Sequence, residues 1–72
     1  MTIEFIGTSA GSVWTALNEA DALGIKQLKK ITKLKEKEIY AALGWLAREG
    51  KVNINVDPED AKELIVSLTQ DR

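Results

Sequence analysis

Seventy-two residues, 44% hydrophobic and 29% charged, fit one folded unit, and at that length folding hides only about 60% of the surface the unfolded chain exposes. The chain has no cysteine and no histidine. That excludes a disulfide framework and thiolate or imidazole metal sites and removes the commonest general base, so neither an enzyme nor a bound cofactor or metal is expected.

The apolar runs are too short to span a bilayer, and the N-terminal "MTIEFIG" lacks the basic segment that opens a signal peptide, so a cytoplasmic protein with no membrane role is expected. No small-molecule substrate is evident. The net charge of −1 hides an asymmetry. Residues 26–37, "KQLKKITKLKEK", carry six lysines against the single acid Glu36, a balance of +5, which leaves −6 on the other sixty residues. A local basic patch of this kind meets phosphates whatever the overall charge.

In chain order, Ala10, Val13, Trp14 and Leu17 recur at helical spacing behind Thr8 or Ser9 as N-cap, which predicts a first helix from about residue 9 to 21, ended by Gly24, with Trp14 in the core. Ile25, Leu28 and Ile31 predict a short second helix whose lysines 26, 29, 30 and 33 project from the other side. After "TKLK" a third helix is predicted from about Glu36 to Glu49, with Ile39, Leu43, Leu46 and Ala47 on one face and Gly50 as terminator. Glu36 and Glu38 near its start favour the helix dipole. The period then changes to two. Val52, Ile54 and Val56 alternate with asparagines, and Leu64, Val66 and Leu68 alternate again after "DPEDAK", which predicts a hairpin with these six residues inward, Ile65 outward and residues 57–62 as a solvated connection. The acids at 57–60 lack the glycine and distal glutamate of a calcium loop.

Three helices, the second and third joined by a tight turn, then a two-stranded hairpin, make an α+β fold with the order of a winged helix-turn-helix, one domain over residues 1–72. Leu28, Ile31 and Leu34 around the turn, and "IYAALGWLAREGKVNI" with Leu43, Leu46, Gly50 and Val52, carry a resemblance to the winged helix-turn-helix superfamily. Together "SVWTAL", "LKKITKL" and "YAALGWLAREGKV" resemble more closely a small stand-alone family of prokaryotic winged-helix proteins defined as a domain of unknown function. The wider resemblance implies DNA binding, with the third helix in the major groove and the wing on the backbone. It marks Lys29, Lys30, Lys33, Lys35 and Lys37 as candidate phosphate contacts.

Other positions depart from that pattern. The wing tip, Asp57 to Lys62, has three acids against one base, Lys35 replaces the usual Ser or Thr cap, and on the outer side of helix three only Lys37 and Arg48 offer groups for a base edge. That outer side instead holds Ala41 and Gly44 between Tyr40 and Trp45. Small residues admit another backbone closely, and aromatics with arginine are enriched at interface centres, so Tyr40, Ala41, Gly44, Trp45 and Arg48 form a candidate protein interface. Two functions therefore stay open: a DNA-binding module built on residues 26–37, and a module for protein association or self-association through helix three.

Overall fold

The computed structural model describes residues 1–69. It contains α1 (Ile3–Asn18), β1 (Leu23–Gly24), α2 (Ile25–Thr32), α3 (Glu36–Arg48), β2 (Val52–Asp57) and β3 (Asp60–Leu68). The three strands form one antiparallel sheet in the order β1-β3-β2. The expected three helices and C-terminal hairpin are present, and β1 adds a short third strand on the far edge of β3.

α1 begins six residues before the predicted start. Thr2 is its N-cap, its hydroxyl accepting the Phe5 N–H at 3.0 Å, and Glu4 lies in the first turn. Thr8 lies inside the helix and does not cap it, and the Thr8 and Thr15 hydroxyls donate to the Glu4 and Gly11 carbonyls one turn back, each at 2.9 Å. The helix ends at Asn18, not at Gly24. Gly24 instead pairs with Ile65 in the sheet and caps the start of α2, its N–H donating to Gln27 Oε1 at 2.8 Å.

α3 closes as predicted. Gly50 takes φ +70°, the Gly50 N–H donates to the Ala47 carbonyl at 3.0 Å and the Lys51 N–H to the Leu46 carbonyl at 2.9 Å. A left-handed residue at this position lets the last carbonyls find donors, which is why a glycine follows the helix.

The core gathers one face of each helix onto the inner face of the sheet: Val13 and Leu17 from α1, Ile25 and Leu28 from α2, Ile39, Ala42, Leu43 and Leu46 from α3, and Val52 and Val66 from the strands. Four expectations fail here. Trp14 is 39% exposed, because Val13, Ala16 and Leu17 occupy the buried stripe and turn position 14 outward. Ala47 is exposed and Ala42 takes its place in the core. Ile31 is exposed at the end of α2. In the hairpin the alternation holds on β3, where Val66 is buried and Leu64 and Leu68 pack against the core, and at Val52, but Ile54 and Val56 on the edge strand β2 are exposed, Val56 by 57%.

Candidate nucleic-acid interface

The turn between α2 and α3 is built by local hydrogen bonds. The Thr32 hydroxyl donates to the Leu28 carbonyl at 2.6 Å and accepts the Leu34 N–H at 3.2 Å, so the chain reverses within Lys33–Lys35. Lys33 caps α2 with φ 65°, the one non-glycine residue with positive φ among the described residues, its N–H donating to the Lys29 carbonyl at 2.9 Å. Left-handed backbone costs an L side chain roughly 1–2 kcal/mol, and glycine or asparagine is the usual occupant.

Lys26, Lys29, Lys30, Lys33, Lys35 and Lys37 are all exposed. Lys29 is partly engaged, its Nζ lying 3.9 Å from Glu36 Oε1 across the turn. Both partners are exposed, so the pair contributes no more than about 1 kcal/mol. α1 reaches this region too: Met1 and Phe5 lie beside Lys35, Lys37 and Glu38 around a shallow hollow of about 270 Å³. Because α1 was expected to start later, sequence reasoning did not place these apolar groups here. The Thr2 cap three residues before Phe5 was the signal for them.

At each helix N-terminus in this region one or two N–H groups are taken by the chain's own side-chain acceptors. At α3 the Glu38 carboxylate accepts the Lys35 N–H at 2.8 Å. At α2 the Gln27 amide oxygen takes the Gly24 N–H, and Glu63, from β3, accepts the Lys26 N–H at 3.2 Å. A helix N-terminus attracts anions through its free N–H groups and its dipole. Here a phosphate would share each terminus with those side chains, two of them carboxylates, while the lysine side chains offer anion contacts without that competition.

On α3 the aromatic residues stand on opposite flanks. Partial burial, then the nearby carboxylates of Glu36 and Glu63, hold the Tyr40 phenol pKa above the ordinary 10.0. Trp45 leans the other way onto α1, with its ring edge 3.6 Å from where a Cβ at Gly7 would stand. Between them Lys37, Gly44 and Arg48 are exposed and Ala41 is half-buried, and a Cβ at Gly44 would meet nothing within 4 Å. The five residues of the candidate protein interface are thus brought to one helix, but Tyr40 belongs to the wing side and Trp45 to the α1 side.

The wing tip is acidic and self-braced. Asp57 Oδ1 accepts the Glu59 N–H at 2.9 Å and Asp60 Oδ1 accepts the Lys62 N–H at 3.0 Å, with a register shift at Val56/Asp57. Among the described residues there is no cluster of metal-ligating side chains, and no helix is long and apolar enough to cross a membrane.

The family model of the winged helix-turn-helix domain DUF2582 matches residues 1–68. The chain belongs to this family. A protein of Bacteroides thetaiotaomicron solved by solution NMR is similar in sequence and structure, with 37% identity and a TM-score of 0.80 over 94% of this chain and 79% of that one. The DUF2582 fold here is also that of two regulators. BpsR of Bordetella bronchiseptica, whose DNA binding is regulated by 6-hydroxynicotinic acid, is 20% identical with a TM-score of 0.80, over 99% of this chain and 54% of that one. A mutant MarR of E. coli complexed with operator DNA is 21% identical with a TM-score of 0.77, over 97% of this chain and 46% of that one. At such identities the likeness shows the fold alone, and the chain spans about half the length of these regulators. No curated protein matches in sequence.

Proposed function

We propose that this DUF2582 chain is a DNA-binding protein, not an enzyme, and that it meets the phosphate backbone through the turn region 26–37, with Lys29, Lys30, Lys33, Lys35 and Lys37 as the contacts. The observation that carries the reading is Lys33. A lysine in left-handed backbone at the centre of an exposed basic turn costs stability where glycine would not, and strain kept in this way is most simply read as serving the side chain. Support also comes from the five other lysines, all exposed on the same segment, and from the fold shared with a MarR solved on operator DNA. Lys29 contributes least because Glu36 already lies beside it.

The mode is electrostatic. Lys37 and Arg48 are the residues of the exposed α3 strip with donors for a base edge, so sequence discrimination is weak, and the acidic tip of the wing stays off the backbone. Four engaged phosphates give a slope of log K on log salt of roughly −3 to −4, or about a hundredfold loss of affinity between about 50 and 200 mM. Fluorescence anisotropy of a labelled duplex tests this. Lys30→Ala is expected to weaken binding and make the slope shallower by about 0.9, and Lys62→Ala at the wing to leave the slope unchanged. A slope that Lys30→Ala does not alter would remove the turn region from the contact.

A further inference from the structure

β2 (Val52–Asp57) is an outer strand of the sheet, paired with β3 on one side and with no strand on the other among the described residues. Natural edges are usually blunted by lysine, proline or a bulge. Residues 52–56 carry no charge and no proline, and the register shift comes only after them, at Val56/Asp57. Ile54 and Val56 on this edge are exposed. The backbone phase is fixed by the Thr69 N–H, which donates to the Lys51 carbonyl at 3.0 Å, with Val52 opposite Leu68. In an antiparallel ladder the residues bonded to the neighbouring strand alternate with residues that are not. Lys51, Asn53 and Asn55 therefore direct their N–H and C=O groups to β3, and Val52, Ile54 and Val56 direct theirs to the open edge.

We infer that a second copy of the chain adds to this edge, β2 against β2, antiparallel and two-fold about Ile54. Val52, Asn53, Ile54, Asn55 and Val56 read the same in both directions. An antiparallel strand of the same sequence centred on Ile54 meets like with like: Val52 stands opposite the partner's Val56, Ile54 opposite the partner's Ile54, and Asn53 opposite the partner's Asn55. One face of the join is a row of β-branched side chains, which pack across a ladder, and the other a row of amides, which exchange hydrogen bonds. The residues that bond across the join are Val52, Ile54 and Val56, whose backbone groups are the open ones. A foreign strand would find the same backbone groups, but the reversal symmetry of the side chains selects a second copy.

Charge favours the same arrangement. Next outward, Lys51 stands opposite the partner's Asp57, unlike charges at each end of the ladder. Lys51 is exposed and also lies 3.7 Å from Glu49, so this end pair adds little and residues 52–56 carry the contact. The acidic wing tips point away from one another, with Asp57 and the partner's Asp57 about 20 Å apart along the strands, beyond the screening length of about 8 Å. A parallel join would bring the tips together. The other edge of the sheet is β1, Leu23–Gly24, too short to continue the pairing, so the assembly closes as a pair. The basic turn lies outside the join, and the inference stands or falls separately from nucleic-acid binding.

Sedimentation of the full chain from about 10 μM to 1 mM, with amide exchange followed by NMR, tests it. The wild type is expected to rise from 7.9 kDa toward twice that mass. The Ile54 and Val56 amides are expected to exchange about tenfold or more slowly as the dimer fills, while those of Asn53 and Asn55, already bonded to β3, change little. Two double variants at exposed positions check the register. Asn53→Lys, Asn55→Lys sets lysine opposite lysine across the two-fold and is expected to weaken the dimer about fivefold or more, whereas Asn53→Lys, Asn55→Glu sets lysine opposite glutamate and should dimerise at least as well as the wild type. A wild type that remains at 7.9 kDa throughout overturns the proposal, even if a foreign peptide adds to the strand. So does a dimer whose Ile54 and Val56 amides exchange as in the monomer, or a pair of folded variants that associate equally. Should a variant unfold, the wild-type exchange pattern decides.

Discussion

The Glu63 carboxylate on β3 accepts a hydrogen bond from the backbone N–H of Lys26 in the first turn of α2, across 37 residues of sequence. Among the described residues no other side-chain hydrogen bond joins the wing to the helix-turn-helix. It sets the wing against the start of α2, and in this position the carboxylate lies close to Gly24: a Cβ there would stand 2.8 Å from Glu63 Oε2, so the carboxylate would have to shift.

Gly24→Ala is therefore expected to displace Glu63 and cost about 1 kcal/mol, mostly through the lost hydrogen bond and partly through a poorer N-cap. In a Glu63→Ala background the obstruction is gone, and the same change should cost only a few tenths. Urea unfolding of the two single variants and the double variant measures the coupling, expected at about 0.5–1 kcal/mol. Strict additivity would mean that the carboxylate is not held at Gly24.

Lys33→Gly separates stability from binding. Glycine relieves the left-handed strain at φ 65° but adds freedom to the unfolded chain, so the expected net gain is about 0.5–1 kcal/mol. DNA affinity should fall, with a salt slope shallower by about 0.9. A more stable variant with unchanged affinity would deprive Lys33 of its proposed role.

The wing tip calls for isosteric changes. Replacing Asp57 and Asp60 by lysine would break two side-chain caps on the Glu59 and Lys62 N–H groups, whereas asparagine keeps the Oδ1 acceptor and removes only the charge. The Asp57→Asn, Asp60→Asn double variant should stay within about 0.5 kcal/mol of wild type. If the wing approaches the duplex, its DNA affinity should rise; unchanged affinity at low salt would place the tip away from the backbone.

Tyr40 is the sole tyrosine, so its absorbance titration reads one group. The phenol is expected to ionise above 10.0, chiefly because of its partial burial and secondly because of Glu36 and Glu63. A folded pKa above the unfolded one gives stability that is whole below pH 10 and is lost as pH rises through the folded value. Glu36→Gln should bring the titration partway back toward the ordinary range. A titration that begins at or below the ordinary value would contradict the placement of Tyr40 near the Glu36 and Glu63 carboxylates.

The helix-turn-helix was legible because it is written in period and punctuation: Leu28, Ile39, Leu43 and Leu46 at helical spacing, and Gly50 where a left-handed residue is needed. The start of α1 was obscured because Ile3, Ile6, Gly7 and Thr8 are weak helix formers taken one by one, and threonine hydroxyls bonded one turn back are invisible in sequence. Alternation in β2 gave the strand but not its burial, since Ile54 and Val56 lie on the edge strand while their partners Val66 and Leu64 on the central strand are covered. β1, two residues long, has no period to read. The six lysines could be counted in the sequence, but that Glu36 draws on Lys29, and that Trp45 turns to α1 while Tyr40 turns to the wing, depends on tertiary placement.

The most direct measurement of the proposed DNA contact is a titration of isotope-labelled protein with duplex DNA, followed by amide shifts. The account predicts shifts centred on Lys29, Lys30, Lys33, Lys35 and Lys37, absent from Asp57 to Asp60, and weakening steeply as salt rises. Shifts centred on the acidic wing tip, or no shifts even at low salt, would contradict it.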